Sequence, residues 1–354
     1  MRVQLKPRCV LALGRYSLVA GLCLSLGGCE KTTTTVIESP GSTTRATAPT
    51  PASSERLLLR GGRVMTATGI IYERGDVLLT GDRITAVGVG LTAPAGTKVV
   101  DVSGKTVTPG IIDTHSHMGV YPSPGLKAHA DGNEATEPVT AYVRSADGFW
   151  PQDPQIDYAR AGGVTTAQIL PGSANLIGGR SVTIKLYPNI RSVADARFEG
   201  APDGLKMACG ENPKRVYGEK SGPQTRMGNV AGYRKAFAAA TAYRRKYEKY
   251  EESLEQWQKK GSGKVKDRPE PPDRDLGLET LALVLDGKIL VHNHCYRADE
   301  MSLMLEVGEE FGFKIRSFHH AVEAYKIADE FLPAGNLIVY TDSRHPNNRR
   351  RYVA

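Results

Sequence analysis

The chain has 354 residues, 40% hydrophobic and 24% charged, a balance ordinary for a soluble globular protein with a large buried core. Its formal charge of +8 is spread over the first residues, a helical segment and the last residues, which excludes the basic stripe of a nucleic-acid-binding protein. Of the five cysteines, Cys9, Cys23 and Cys29 fall near the start, so Cys209 and Cys295 cannot build a disulfide framework; they are expected as two buried free thiols rather than as a bridge.

Arg2, Lys6, Arg8 and Arg15 surround the start of an apolar run over residues 16–26. The run is too short to span a bilayer comfortably and fits a secretory signal. It ends in Leu26-Gly-Gly-Cys29, which resembles a bacterial lipobox. That resemblance implies a lipoprotein signal over residues 1–29, acylation of Cys29 and a lipid rather than a protein anchor. Glu30 follows the cysteine, and by resemblance to sorted lipoproteins this implies export to the outer membrane rather than the inner one. Residues 30–55, rich in Thr, Ser, Pro and Ala, read as a tether with too few large apolar groups to fold.

Residues 56–108 change pattern. Short strand-like runs at 57–60, 63–65, 75–79, 83–87, 99–101 and 105–107 alternate with Gly61-Gly62 and Gly81-Asp82, which are expected as turns. The segment predicts a small β domain.

The next stretch is Thr108-Pro-Gly-Ile-Ile-Asp-Thr-His-Ser-His-Met118. Ile111 and Ile112 are expected as a short buried strand. His115 and His117, two apart, face the same way and can converge at its end, and neutral imidazole is a common ligand for zinc and related metals. This stretch resembles the first barrel strand of the metal-dependent amidohydrolase superfamily, and the resemblance extends over residues 56–325. It implies an α/β fold: a (β/α)8 TIM-type barrel over residues 109–335, beside a small N-terminal β-sandwich portion. Strands from after the barrel complete that sandwich in the family, and the sequence offers none here.

Residues 119–154 read as a long loop, where a barrel of this kind carries its active site. His129 within it is expected to be solvated. A helix over 156–161 leads to Ala-Gly-Gly-Val-Thr-Thr and a strand over 164–170, which resembles the second barrel strand. Residues 171–179 are expected as a glycine-rich turn and 181–186 as the next strand. Gly204-Leu-Lys-Met-Ala-Cys-Gly-Glu-Asn-Pro resembles strand four. The resemblance implies an acidic or carbamylated-lysine ligand there, with Glu211 the first choice and Lys206 the alternative. Residues 233–275 are expected as a surface excursion, a solvated helix followed by a Pro- and Lys-rich loop. His292 and His294 lie on strand five, and His319 and His320 end strand six. By the resemblance His294 and His320 are ligands, with His292 a neighbour and His319 turned away.

The implied site is therefore His115, His117, Glu211, His294 and His320 around one or two divalent metals, zinc first. The implied activity is hydrolysis of C–N bonds in small amides or cyclic amides by metal-activated water. A homo-oligomer is compatible with this. The aspartate that ends strand eight in the family has no clear counterpart. A seventh strand is expected at 336–340, and Asp342 after it resembles the acid only in its Thr-Asp-Ser setting, too soon after strand six. The basic end, residues 336–354, does not resemble the family, so the barrel is expected to be incomplete. A non-catalytic ligand- or metal-binding lipoprotein of the same fold, and an inactive truncated product, stand as alternatives.

Overall fold

The computed structural model describes residues 55–220, 222–261 and 265–330, together with the backbone of the strand Leu337–Val339. The expected signal, Cys29 with its expected acylation, most of the expected tether and Asp342 lie outside the described residues.

The β domain is one five-stranded sheet of β1 (Arg56–Met65), β2 (Ile71–Thr80), β3 (Arg83–Gly88), β4 (Thr97–Asp101) and β5 (Thr106–Val107). The order is β3-β2-β1-β4, with β5 also on β1. Gly61-Gly62, expected as a turn, instead lies inside β1, where the pairing with β2 shifts register. The cause is Asp76, 3% exposed, whose carboxylate accepts the Gly61 N–H and the Leu91 N–H, both at 2.9 Å. Those two bonds hold the distorted backbone in the sheet.

The second sheet contains β6 (Ile111–Ser116), β7 (Val164–Ile169), β8 (Ile177–Lys185), β9 (Gly204–Ala208), β10 (Leu290–Cys295), β11 (Ile315–His320) and β12 (Leu337–Val339), in that order. All neighbours are parallel except that β8 runs antiparallel to both β7 and β9. The expected glycine turn is accordingly shorter, because Gly178 and Gly179 belong to β8. The sheet curls: His115 on β6 and His319 on β11 meet at 2.8 Å although four strands separate them. This is an α/β fold whose described strands form a curled, barrel-like sheet. Ile111 and Ile112, expected to be buried, are 54% and 63% exposed, because among the described residues β6 pairs with β7 alone.

Helices cover the outside. The short α1 (Ser145–Gly148) lies in the long loop, and α2 (Pro154–Ala161) leads into β7. Asp153 caps α2, accepting from Gln155 N at 3.0 Å. It also holds the loop that follows β6, accepting from Gly119 N at 2.8 Å. The short α3 (Val193–Ala196) follows β8. Three helices, α4 (Glu211–Tyr217), α5 (Arg226–Lys259) and α6 (Leu276–Leu285), separate β9 from β10, and α7 (Ala298–Phe311) separates β10 from β11.

The solvated excursion needs correcting. Helix α5 starts earlier than expected, with Thr225 as its cap accepting from Gly228 N at 3.0 Å. Its first half buries Asn229, Tyr233, Ala236, Phe237, Ala240 and Tyr243, the spacing of one helical face. Phe237 stacks on Phe313 at 4.2 Å. Past Tyr243 no residue of the helix is buried. A 3-10 turn, Ala324–Ile327, follows β11, and residues 328–330 continue as helix.

Cys209 and Cys295 are joined as a disulfide rather than left as free thiols. They sit at the ends of neighbouring parallel strands, with Cys209 N donating to His294 O at 2.8 Å. This places their Cα atoms 5.3 Å apart, within bridging range.

Candidate functional site

Strand register builds the site from one rule, that paired residues on neighbouring strands face the same way. Lys206 on β9 pairs with His292 on β10, which pairs with Ser317 on β11. One layer further along, His294 pairs with His319. All five side chains are at least nine-tenths buried and face the interior of the curled sheet. His115 and His117 enter from β6 and its end. Six of the chain's eight histidines gather here.

The contacts are close. His115 Nε2 and His117 Nε2 are 3.2 Å apart. The His117 Nδ1–H donates to the Leu170 carbonyl at 2.8 Å, which leaves His117 Nε2 as an acceptor. His115 Nδ1 meets His319 Nδ1 at 2.8 Å. The His294 ring lies 4.4 Å from that of His320, and His294 Nε2 accepts from the Asn212 amide at 3.2 Å. Tyr121 lies beside His117, ring centroids 5.8 Å apart.

Two sequence expectations change. His319 does not turn away; it faces the interior and touches His115. His320, which regular strand geometry would send outward, has a φ of +67°, and its ring comes back to within 5.3 Å of His115. Both therefore belong to the cluster. Glu211, the expected carboxylate ligand, opens α4 instead, and the next residue, Asn212, is the one that reaches His294. The alternative, Lys206, lies within the cluster, its ammonium donating to the Pro171 carbonyl at 3.2 Å. His129 is half-buried against Trp150, 4.9 Å between rings.

Electrostatics follow from burial. Desolvation, followed in most cases by the Lys206 charge, pushes His117, His292 and His320 down to about 4 and His115 down to about 2. His294 and His319 are pushed down as well, again first by burial. The rings are neutral near pH 7, the form that ligates metals. Burial also lowers Lys206 to about 7. Glu211 is not among the charges that act on the six rings.

Among the described residues no three His, Cys, Asp or Glu side chains form a ready-made metal cage. The donor set nonetheless fits a divalent ion. Two nitrogens each about 2.0–2.1 Å from a tetrahedral zinc lie ~3.3 Å apart, and the His115–His117 pair stands at 3.2 Å. His294 Nδ1, which carries the ring proton while Nε2 accepts from Asn212, is buried with no hydrogen-bond partner.

The sequence missed Gln168, Ser317 and His319. The signal for the last two was available: Ser317 and His319 are two apart, like His292 and His294.

No protein-family model matches the chain. It is 36% identical over 293 residues to the amidohydrolase tasK of Hapsidospora irregularis, covering 79% of this chain and 29% of that protein. It is 34% identical over 144 residues to a dihydroorotase of Geobacter sulfurreducens, covering 41% of this chain and 27% of that one. The chain thus spans under a third of these curated relatives. A solved amidohydrolase structure from Thermotoga maritima is 38% identical and superposes with a TM-score of 0.70, covering 81% of this chain and 70% of that one. A shared curled sheet, matched at this identity over most of both chains, shows that the chain belongs to the amidohydrolase superfamily.

Proposed function

We propose that the protein is a metal-dependent hydrolase of C–N bonds in small amides or cyclic amides. The observation that carries this is the His115–His117 pair, 3.2 Å between Nε2 atoms, with His117 held in the ligand tautomer by Leu170. The names of the relatives, amidohydrolase and dihydroorotase, support the bond type. When bound, a divalent ion, zinc by the imidazole-rich donor set, supplies a Lewis acid and an acidified water.

His115, His117, His294 and His320 would hold that ion. Lys206 is the better candidate than Glu211 for the anionic ligand. With its pKa lowered to about 7, a large share of the amine is neutral at that pH. A neutral amine adds carbon dioxide to form a carbamate, making one N–C bond and releasing one proton. That exchanges the cation felt by all six rings for an anion with two donor oxygens. Burial of the cluster excludes bulk water and strengthens each of these interactions.

The test is metal content of the purified full chain, followed by a panel of amides and cyclic amides. One or two equivalents of zinc, lost in His115→Ala/His117→Ala, with turnover on the panel, is the expected result. Metal without turnover would favour the non-catalytic binding protein. A folded chain that takes up no metal would sink the enzyme reading. Intact mass in bicarbonate buffer should show one added carboxyl group, absent in Lys206→Met.

The same reading holds the chain outside the cytoplasm, lipid-anchored through Cys29 and facing the periplasm from the outer membrane. A disulfide between Cys209 and Cys295 supports an oxidising compartment. Labelled palmitate should enter the wild-type chain and not Cys29→Ser; equal labelling of both would remove the anchor.

A further inference from the structure

We propose that Gln168, His292, Ser317 and His319 form a relay of positioning residues that sets which nitrogen of His115 carries the proton, and so whether the His115–His117 pair is ready for metal. This rests on reading that pair as metal ligands.

The relay is continuous. The Gln168 amide nitrogen donates to His292 Nε2 at 2.9 Å. That leaves the His292 proton on Nδ1, which faces Ser317 Oγ at 2.7 Å. The Ser317 hydroxyl then donates to His319 Nε2 at 2.8 Å. The His319 Nδ1–H donates to His115 Nδ1 at 2.8 Å. His115 must therefore carry its proton on Nε2, pointing at His117 Nε2, 3.2 Å away. His117 in turn donates from Nδ1 to the Leu170 carbonyl at 2.8 Å.

The Leu170 carbonyl fixes the direction at one end, and the Gln168 amide, as it stands here, agrees with it. An amide N–H only donates and a carbonyl only accepts. Starting from either end, each link receives one proton, and no link holds two or none. Ser317 is 2% and His319 0% exposed, so water does not supply an alternative partner.

In this state the pair offers an ion no free Nε2 lone pair: His115 Nε2 carries a proton and His117 Nε2 accepts it. Holding an ion through both Nε2 atoms requires His115 in its Nδ1–H form. That form reverses every link back to His292, whose Nε2–H would then face the Gln168 amide. Rotating that amide presents its oxygen and accepts the proton. The other neighbour of the amide nitrogen is Ser181 Oγ at 3.2 Å, a hydroxyl that accepts from one orientation and donates to the other. Gln168 can thus stand either way, and its orientation selects the state of a ligand four links away.

The test uses the full chain and zinc ion alone, titrated against a chromophoric chelator, with no activity assay. Gln168→Glu places an obligate acceptor at the head of the relay and should tighten zinc about tenfold, the scale of effect that groups behind metal ligands exert. His319→Phe cuts the relay both through Ser317 and through the direct His292 Nδ1–His319 Nε2 contact at 3.4 Å, so the gain should vanish in Gln168→Glu/His319→Phe. A gain that survives in the double variant would be plain charge attraction and would overturn the proposal. Nitrogen-15 spectra of the metal-free wild type read the tautomers directly and need no variant. His115 protonated on Nε2 and His319 on Nδ1 is the expected result; His115 protonated on Nδ1 overturns the relay. Should these tautomers appear in a chain that binds no zinc, the relay stands and the metal reading falls.

Discussion

Lys206 brings an ammonium into the same buried layer as His292 and Ser317, and the cost of that burial is legible in how stability should respond to pH. Its pKa falls from 10.5 to about 7 on folding. Between those values the unfolded chain holds a proton that the folded chain has lost, so unfolding free energy rises with pH at about 1.4 kcal/mol per unit from this group. His117, His292 and His320 act with the same sign between pH 6.5 and about 4, and His115 to about 2. The metal-free protein should therefore lose stability steadily towards acid. In urea melts with chelator present, Lys206→Met should flatten the dependence between pH 7 and 10 and keep the steep fall below 6.5. An unchanged slope on the alkaline side would mean that Lys206 is charged when folded. The sequence made the histidines easy to find, because His115, His117, His294 and His320 each close a strand. It assigned His319 outward by strict alternation after placing His320 inward. The positive φ at His320 lets both rings serve the interior, and no local pattern of residue types announces such a bend.

At the level of elements, α5 shows what periodicity reveals and what it hides. The run of Ala, Lys, Glu and Tyr marks a helix plainly. Which half is solvated depends on what packs against it, and α5 is 34 residues long. Its first half is clamped to the end of β9 by the Tyr233 hydroxyl on Ala208 O and by Asn229 on Gly210 O at 2.8 Å. Gly210 has a φ of +75°, and a Cβ there would meet the Glu300 carboxylate at 2.6 Å. The backbone needs glycine at that corner. Phe237→Ala should cost about 3–5 kcal/mol, the usual scale for emptying a buried aromatic site. Glu255→Ala should cost less than ~1 kcal/mol, because its pairing with Lys259 at 3.2 Å is exposed on both sides. Equal losses in denaturant melts would mean that the far half is also buried, against a partner. Strand direction was equally beyond the sequence. The antiparallel β8 has the alternation of any strand, and only its pairing with β7 and β9 sets its sense.

At the largest scale, the decisive feature is that among the described residues the barrel sheet has an edge at β6. A strand with one neighbour presents unpaired backbone groups, and here the edge also presents Ile111 and Ile112, more than half exposed. The sequence read those two as buried because they occupy a first barrel strand, and burial there requires a second neighbour that the described residues do not provide. The site tolerates the open edge because its ligands come from the inner face, and His115 is held by His319 from across the interior rather than by a strand beyond β6. The edge should instead govern solution behaviour. Covering an isoleucine side chain is worth ~1.5–3 kcal/mol, so any association of copies through this edge should weaken by about tenfold or more in Ile112→Lys. Light scattering over a concentration series measures this directly. Zinc content should stay at the wild-type level, since Ile112 contributes nothing to the donor set. If Ile112→Lys associates as strongly as the wild type, the contact lies elsewhere, and Ile84 on β3, 64% exposed, is the next surface to charge. If association weakens and zinc is lost together, the edge and the site are mechanically one, and the support of His115 from across the sheet is too weak to hold it alone.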